Sequence, residues 1–523
     1  MGLKLGDGKD WAFINGPWSE APDGRIDSPT TGDTRSMAFY LPQAFTDVSA
    51  EFEVMPRYLE NGSGDAGVVL RALDANHFYL VRFPWCGQQL RAKHFWVAIS
   101  KVDESGYVRN LQLVMMPSVP SETDRWYKVR VECKDATIRV WVDGRPGPVV
   151  SDSSYQAGRV GFAGYGVFSI RDVRIAGTHA ALSTWDGKAA APRNWMHPAP
   201  SIEGQRMGSL CRAPGGDVLL AIPSEEATYI VRSRDNGRTW GPPQELPAAL
   251  HHGVIHATAS GRLLVQMFKP APRQMSLAES EDDGHTWAEP MAAELTGAWP
   301  EDPSQLSAYG PLLELPDGAL VRFLLGGMAG NAGKHVVQWG SLHCQAFAIR
   351  STDGGRTWSA PANLDRPSWY GEAAGTIDGC LDLTEPVAAV LGDGRILCYI
   401  RPIYSPTMWE ALSEDGGQTW ASVRRGPFPG YAACMTRTRS GVLLVAHRFP
   451  GHSINISRDD GVTWDEGTTV DFPAWAMGCM MEVEPDVVLF VYMDATRQYL
   501  RAQRIQVTPD GLQPLPIQED PAE

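Results

Sequence analysis

The sequence predicts an all-β protein built from a six-bladed β-propeller and an N-terminal antiparallel β-sandwich of the jelly-roll type. Two observations favour this fold. Five copies of one turn, Ser-x-Asp-x-Gly-x-Thr-Trp, recur between residues 233 and 464, and short apolar strands interrupted by glycine precede them. The N-terminal third lacks the turn but contains short alternating strands. Repetition at intervals of several tens of residues indicates an array of equivalent modules.

The repeated turn contains the residues that hold a tight loop together. Its Ser and Asp can bond to nearby backbone amides. Its Gly supplies a left-handed backbone conformation, and its Trp supplies a large apolar anchor. We interpret the turn as structural rather than reactive. The copies begin at Ser233, Ser280, Ser351, Ser413 and Ser457.

A repeated hairpin lies upstream of each turn. Examples are GPLLELPDGALVRFLLGG from Gly310 and EPVAAVLGDGRILCYIRP from Glu385. Apolar runs broken by Asp-Gly are hairpin signals. Each module is therefore predicted to have four antiparallel strands, with the Trp turn joining the outer pair. A further copy, CMMEVEPDVVLFVYMD from Cys479, has the hairpin without the Trp turn, which gives six sheets arranged radially.

The chain is predicted to contain four segments, because its composition and its pattern of strands change along the sequence. Short alternating strands such as WYKVRVEC predict a sandwich over residues 1–178. An Ala- and Pro-rich stretch predicts a linker over 179–197. The propeller is predicted over 198–510, followed by a C-terminal tail over 511–523.

Composition excludes several classes of function. The net charge of −15 argues against nucleic acid or an anionic membrane as the partner, and no apolar run is long enough to span a bilayer. The N-terminus lacks the apolar core of a signal peptide, and several of the eight Cys lie in apolar strands, so we expect a cytoplasmic protein with reduced thiols. A chain whose leader had been removed would look the same and would be secreted or periplasmic. We expect no metal and no cofactor, because no ligand pair has a recognised spacing.

Internal symmetry places the polar candidates on one rim. Counting seven residues from the hairpin glycine leads to Arg401 and Arg448. The first strand begins and the second strand ends on the same face, so one mouth collects both sets of residues. The planar guanidinium groups of arginines from separate blades favour the binding of a carboxylate or a phosphate. The same rule places these further residues at or near the mouth: Arg206, His252, His256, Tyr309, Asp378, Asp382, Glu385, Tyr404 and Trp475.

The repeat region resembles the sialidase superfamily of exo-glycosidases. QRMGSLCRAPGGDVLLA, EPVAAVLGDGRILCYIRP and HRFPGHSINISRDDGVTW resemble the family segments that hold its arginines. The resemblance implies that Arg206, Arg401 and Arg448 clamp a substrate carboxylate and that Glu385 takes the place of the family's Glu. In the family a Glu-assisted Tyr attacks the anomeric carbon, and an Asp acts as acid/base. The N-terminal segment GDAGVVLRALDANHFYLVRF resembles concanavalin-like jelly rolls.

Two family residues have no counterpart here. AWAMGCMMEVEPD contains Trp475 and Met477 where the family has its Tyr. LHHGVIHATASGRLL contains His252 and His256 where the family has its Asp. We therefore expect chemistry that differs from a standard retaining sialidase.

Three functions stay open on the residues. Glycoside hydrolysis uses two carboxyl groups, for which Glu385 with Asp378 or Asp382 are candidates. His252 or His256 is an alternative proton carrier, with Tyr309, Tyr404 and Trp475 as substrate contacts. We predict a hydrolase that releases a terminal acidic sugar from an oligosaccharide or polysaccharide. The alternatives are a lyase acting on uronate-containing polysaccharide and a non-catalytic glycan-binding propeller.

Overall fold

The fold consists almost entirely of strands. The one helix among the described residues is a 3-10 turn at Ala248–Leu250, which confirms the all-β prediction. No helix in this part of the chain is long and apolar enough to cross a membrane. The computed structural model describes residues 2–6, 8–29, 35–57, 63–86, 94–122, 124–185, 194–206, 208–269, 273–299, 306–327, 344–364, 383–402, 405–472, 478–494 and 496–517.

The chain divides into two compact units. The first contains Met1–Arg193 together with Arg448–Ile454 and Glu466–Trp475. The second contains Asn194–His447, Asn455–Asp465 and Ala476–Glu523. Two short segments from the repeat region therefore fold with the N-terminal unit.

The first thirteen strands are antiparallel and belong to the N-terminal unit. They are β1 (Trp11–Ile14), β2 (Ser19–Glu20), β3 (Ile26–Asp27), β4 (Ser36–Pro56), β5 (Ser63–Ala72), β6 (Phe78–Cys86), β7 (Trp96–Val102), β8 (Val108–Met115), β9 (Tyr127–Lys134), β10 (Thr137–Val142), β11 (Arg145–Ser151), β12 (Gly158–Tyr165) and β13 (Phe168–Ala180).

The long strand β4 connects two sets of pairings. Its first half pairs with β1 and β12, and β12 continues through β5, β6, β7 and β8. Its second half pairs with β13 and β9, and β9 continues through β10 to β11. Apolar side chains from both sets, among them Phe52, Val81 and Phe162, form one buried core.

The remaining strands form hairpins in sequence order. They are β14 (Ser209–Arg212), β15 (Val218–Pro223), β16 (Thr228–Ser233), β17 (Gln244–Glu245), β18 (Val254–Ala257), β19 (Leu263–Lys269), β20 (Gln274–Ser280), β21 (Met291–Leu295), β22 (Leu306–Glu314), β23 (Leu320–Gly327), β24 (Cys344–Ser351), β25 (Thr357–Trp358), β26 (Ala362–Asn363), β27 (Thr384–Val390), β28 (Ile396–Arg401), β29 (Trp409–Ser413), β30 (Ala421–Arg425), β31 (Cys434–Arg437), β32 (Leu443–His447), β33 (His452–Ser457), β34 (Thr468–Asp471), β35 (Gly478–Glu484), β36 (Val487–Met493), β37 (Leu500–Thr508) and β38 (Gly511–Pro514).

These hairpins build a propeller-like ring. Five separate sheets begin with β14, β18, β22, β27 and β35, and β31 pairs with β32 in the same hairpin pattern. The first strand of each group lies beside the first strand of the next group, and β35 lies beside β14. The first strands therefore surround a common centre.

A buried ion pair holds residues 466–472 within the N-terminal unit. Strand β34 pairs antiparallel with β8. The fully buried Arg82 lies 3.1 Å from an oxygen of the fully buried Asp65, and it donates hydrogen bonds of 2.8 Å to Asn110 and 2.9 Å to Thr469. Burial lowers the pKa of Arg82 to about 10 although Asp65 opposes that shift. The charge is thus stabilised by a network that includes the returning segment.

The five repeated turns share the predicted hydrogen-bond pattern. In the copy at Ser351, the Ser hydroxyl donates to Asp353 at 2.8 Å and accepts from the amide of Gly355 at 2.8 Å. The Asp353 carboxylate accepts from the amide and the hydroxyl of Thr357 at 2.9 and 2.8 Å. The other four copies repeat these bonds. Their structural role is confirmed.

The turn carboxylates are stabilised in the ionised form. The hydroxyl and the amide of Thr286 lower the pKa of Asp282 to about 2. Since the ordinary pKa of Asp is about 4, the ionised turn contributes stability above that pH and loses it as the pH falls toward about 2. The turns therefore contribute to acid sensitivity well below neutral pH.

Trp358 is the most deeply buried of the five turn tryptophans. It is 1% exposed, and its Nε1 donates to the carbonyl of Gly355 at 3.0 Å. The short strand β25 that carries it pairs in parallel with β21 of the preceding sheet. Trp240, Trp287, Trp420 and Trp464 are only partly buried.

We predict that Trp358→Ala lowers the free energy of unfolding by about 3–5 kcal/mol, because it leaves a large cavity between two sheets. The matched variant Trp240→Ala is expected to lose about 1–2 kcal/mol, because part of that ring is already in solvent. Guanidinium denaturation of both variants measures the difference. Equal losses would contradict the structural assignment of Trp358.

Candidate functional site

A cavity of about 420 Å³ lies at the centre of the ring. Its walls include residues from the first strands β14, β18, β22, β27, β31 and β35, which is why we place it on the common centre. Many of these wall residues are small or apolar, such as Val254, Ala308 and Val387. The polar side chains at the cavity are Arg206, His252, Gln266, Ser307, Tyr309 and Arg322.

Three of the predicted substrate-binding residues line this cavity together: Arg206, His252 and Tyr309. Arg206 and His252 are exposed, whereas Tyr309 is buried and donates a 3.4 Å hydrogen bond to the carbonyl of Ala433. The amide of Arg206 donates to the carbonyl of Pro223 at 2.7 Å. The rule based on hairpin symmetry thus brings these three residues to one place.

His252 occupies a left-handed backbone conformation with φ of 63°. Its amide donates to the hydroxyl of Thr228 at 2.8 Å, which holds the turn in place. Partial burial lowers the pKa of the imidazole, and the neighbouring His251 and Arg206 lower it further. These effects favour the neutral form of His252, which can accept a proton.

Arg322 is a cavity residue that sequence reasoning missed. It lies on β23, is 4% exposed, and lines the cavity. Its Nη1 donates to the carbonyl of Tyr309 at 3.3 Å and also to the carbonyl of Gly310. Burial lowers the pKa of Arg322 to about 9, so the guanidinium remains charged at neutral pH.

The signal for Arg322 was present in the repeats. It lies four residues after the hairpin Gly318, within the apolar run ALVRFLL. The equivalent positions in the other hairpins are apolar or weakly polar, namely Leu220, Val265, Cys398 and Val445. A charged residue at a position that four repeats keep uncharged is the kind of buried polar group that requires an explanation.

Glu385 and Arg401 form a buried ion pair. Arg401 Nη1 donates to Glu385 Oε1 at 2.6 Å, and the two residues are 1% and 8% exposed respectively. The guanidinium also lies 5.4 Å from the centre of the Tyr431 ring. Arg401 is therefore buried in an ion pair, and its predicted role at the mouth of the propeller stays a prediction.

A break in strand register positions Glu385. The pairing of β27 with β28 shifts between Thr384 and Val387, and Glu385 has φ of 52°. Such irregularities re-aim a side chain and are frequent next to active sites. Glu385 Oε2 has no hydrogen-bond partner among the residues that the structure describes. Neither Glu385 nor Arg401 is among the described residues that line the cavity.

The other predicted residues fall elsewhere. His256 lies on β18 with its Nε2 3.5 Å from Glu314, away from the cavity lining. Arg448 is partly buried and belongs to the N-terminal unit. Asp378, Asp382, Tyr404 and Trp475 lie outside the described residues. Within the described part of the chain, no group of three or more His, Cys, Asp and Glu residues could hold a metal ion.

Comparisons with known proteins agree with the repeat pattern. Residues 271–473 match the BNR repeat-like domain family, and residues 4–176 match the 3-keto-alpha-glucoside-1,2-lyase-like domain family. A sialidase of Micromonospora viridifaciens is 27% identical over 320 residues, covering 50% of this chain and 45% of that protein. A sialidase of Bacteroides fragilis is 24% identical over 212 residues, covering 37% of each protein. The chain thus matches less than half the length of these distant relatives.

Solved sialidase structures are also similar. The Hadza microbial sialidase Hz136 aligns with a TM-score of 0.45 and 16% identity, covering 92% of this chain and 94% of that one. The NanB sialidase of Streptococcus pneumoniae aligns with a TM-score of 0.44 and 11% identity, covering 88% and 95%. The match to the BNR repeat-like domain family and the distant similarity to the two curated sialidases confirm the predicted likeness to sialidases.

We predict that Arg206→Gln raises the pKa of His252, because it removes a positive charge that disfavours the imidazolium. An NMR titration of the His252 ring, assigned with a His252→Asn variant, measures the change. Arg234→Gln is the matched control, since its exposed side chain does not line the cavity. An unchanged His252 pKa in Arg206→Gln would place the two side chains too far apart to share a ligand.

We further predict that Glu385→Gln and Arg401→Gln each lower the free energy of unfolding by about 3–5 kcal/mol, because each removes one partner of a buried ion pair. The double variant is expected to lose clearly less than the sum of the two single losses. Urea denaturation of the four proteins completes the cycle. Additive losses would show that the two charges do not interact.

Proposed function

We propose that the protein is a sialidase-like exo-glycoside hydrolase that releases a terminal acidic sugar from a glycan. The observation that carries this proposal is the charge of the central cavity. Its described lining contains Arg206 and Arg322 but no Asp or Glu, although the chain has a net charge of −15. A cationic cleft with low-dielectric walls concentrates anionic ligands.

The distant similarity to two sialidases supports a glycan as the substrate. Arg206 presents an exposed guanidinium, and His252 beside it offers a neutral ring. The charge of Arg206 would draw a carboxylate-bearing sugar into the cavity, and the sugar would present its glycosidic oxygen to the neighbouring polar groups. For Arg448, Tyr404 and Trp475 the proposed role in substrate binding rests on sequence alone.

Hydrolysis of a glycosidic bond ordinarily uses two carboxyl groups. Glu385 is the proposed nucleophile or base, a proposal supported by its pairing with Arg401 and by its position at the register shift in β27. Asp378 or Asp382 is the proposed acid, with His256 or His252 as the alternative proton carrier. In either case the acid delivers its proton to the leaving oxygen, and water supplies the new hydroxyl group.

The proposed scaffold is a six-bladed propeller with a jelly-roll sandwich at the N-terminus. The position of β31 between β27 and β35 supports a blade formed by β31 to β34. The two antiparallel sets that share β4 support the sandwich. We keep residues 198–510 as the extent of the propeller and 1–178 as the extent of the sandwich.

A lyase is the second candidate function. A match to a lyase-like domain at residues 4–176 and the neutral state of His252 favour it. In that reaction an arginine neutralises a uronate carboxylate, and a neutral base removes the proton from the adjacent carbon while the glycosidic oxygen leaves. The product is an unsaturated sugar, whereas hydrolysis would give a saturated one.

The two reactions are separated by their products. We expect the protein to release free acidic sugar from glycans that carry it terminally, measured by chromatography of the products. If the products absorb ultraviolet light as an unsaturated uronate does, and no free acidic sugar is released, the protein is a lyase. Binding without either product would leave a glycan-binding protein.

Arg206→Gln is expected to lower kcat/KM by about 10- to 100-fold, since a hydrogen bond to a charged group contributes about 1.5–3 kcal/mol. The control Arg234→Gln makes the same substitution at an exposed site outside the cavity. It is expected to retain the wild-type kcat/KM. Full activity in Arg206→Gln would show that the substrate does not contact Arg206.

A further inference from the structure

Two buried polar side chains from neighbouring sheets line the inner part of the central cavity. Gln266 on β19 is 2% exposed, and Arg322 on β23 is 4% exposed. Leu264 lies two positions before Gln266, and Leu320 and Leu324 flank Arg322 at the same spacing. These leucines share one apolar cluster. Since strand side chains alternate, Gln266 and Arg322 lie on the two sheet faces that meet there.

Arg322 carries a charge that no described carboxylate pairs with. Its Nη1 donates to the carbonyls of Tyr309 and Gly310. The pairing of β22 with β23 shifts in register between Tyr309 and Leu313, next to these carbonyls. Its Nε has no hydrogen-bond partner among the described residues. A buried guanidinium without a counter-charge is energetically costly, so the site favours an anion.

Gln266 adds an acceptor to the same cavity. Its Nε2 donates to the carbonyl of Met267 at 2.9 Å, and this bond orients the amide. Its Oε1 is buried, with no partner in the part of the chain that the structure describes. The cavity therefore offers a cationic donor and a neutral acceptor, whereas its walls between them are largely apolar.

We propose that Arg322 and Gln266 form an inner subsite for a carboxylate and the hydroxyl group on its neighbouring carbon. Arg322 binds the carboxylate, and the hydroxyl donates to Gln266 Oε1. A single guanidinium compensates one negative charge, so a monoanionic carboxylate suits the subsite better than a phosphate dianion. The inference rests on the proposed function: when hydrolysis releases an acidic sugar at the carbon that bears its carboxylate, that carbon gains the hydroxyl group that the subsite binds.

The test compares glycolate, which has both groups, with acetate, which lacks the hydroxyl. Thermal unfolding is followed at increasing concentrations of each anion and at constant ionic strength, and each apparent Kd is taken from the rise in Tm. We expect wild-type protein to bind glycolate roughly tenfold more tightly than acetate, since the extra hydrogen bond satisfies a buried acceptor. Gln266→Leu is expected to abolish this preference while keeping acetate binding.

Arg322→Met is expected to abolish the Tm response to both anions, and Arg322→Lys to weaken it at least about fivefold, since lysine lacks the planar fork. Arg350→Met is the matched control. Arg350 lies in the same sheet, pairs with Asp317 and does not line the cavity. It should bind both anions like wild type. Unchanged anion responses in Arg322→Met, or equal affinity of wild type for glycolate and acetate, would overturn the subsite.

The subsite and the proposed function fail in different ways. Glycolate binding that depends on Arg322, without turnover of any acidic glycan, would overturn the hydrolase while supporting the subsite. Release of acidic sugar at wild-type kcat/KM by both Arg322→Met and Gln266→Leu would overturn the subsite while supporting the hydrolase.

Discussion

The first strands of the sheets surround the centre of the ring, and this constraint largely decides what the central cavity can contain. The first strands contribute mainly small or apolar residues there, such as Val254, Ala308 and Val387, and so leave an open volume. The charged groups come from other positions. Arg206 precedes β14, His252 precedes β18, and Arg322 extends inward from a second strand. The first strands thus leave an open volume. The charged and ionisable side chains in it come from residues that precede these strands or lie on a second strand.

The distribution of ion pairs separates the cavity from the rest of the ring. Away from the cavity, arginines of the sheets are paired with carboxylates, as in Arg232 with Asp217, Arg350 with Asp317 and Arg437 with Asp460. The two cavity arginines have no such partner among the described residues. Pairing on the outside limits the long-range field of those residues, whereas water screens the buried charge of Arg322 little. The acidic chain therefore still presents a positive site to an anionic ligand.

Much of the fold could be predicted from the sequence because its signals are local. The Ser, Asp and Thr of each turn bond within eight residues, so the motif at Ser351 determines its own geometry. Internal symmetry also brought Arg206, His252 and Tyr309 to one cavity. It did not reveal that Arg401 is buried, because counting along a strand gives an end of the sheet but not the depth at which a side chain packs. Arg322 was missed because it breaks the repeat pattern on which the predicted positions depend. The alternation that places Arg322 opposite Gln266 depends on the contact between two sheets, which no local signal contains.

Backbone strain links Glu385 and His252 although they lie on different sheets. Most non-glycine residues with positive φ in this chain are Asp or Asn, which tolerate that conformation in turns. Glu385 lacks that tolerance, so its conformation costs about 1–2 kcal/mol, whereas His adopts the left-handed conformation more readily. The cost is met locally, by the ion pair with Arg401 in one case and by the bond to Thr228 in the other. A regular β27 would alternate strictly from Thr384 to Val387 and would direct Glu385 differently. The positive φ at Glu385 and at His252 sets the direction of an ionisable side chain, which is what a site that positions proton carriers requires.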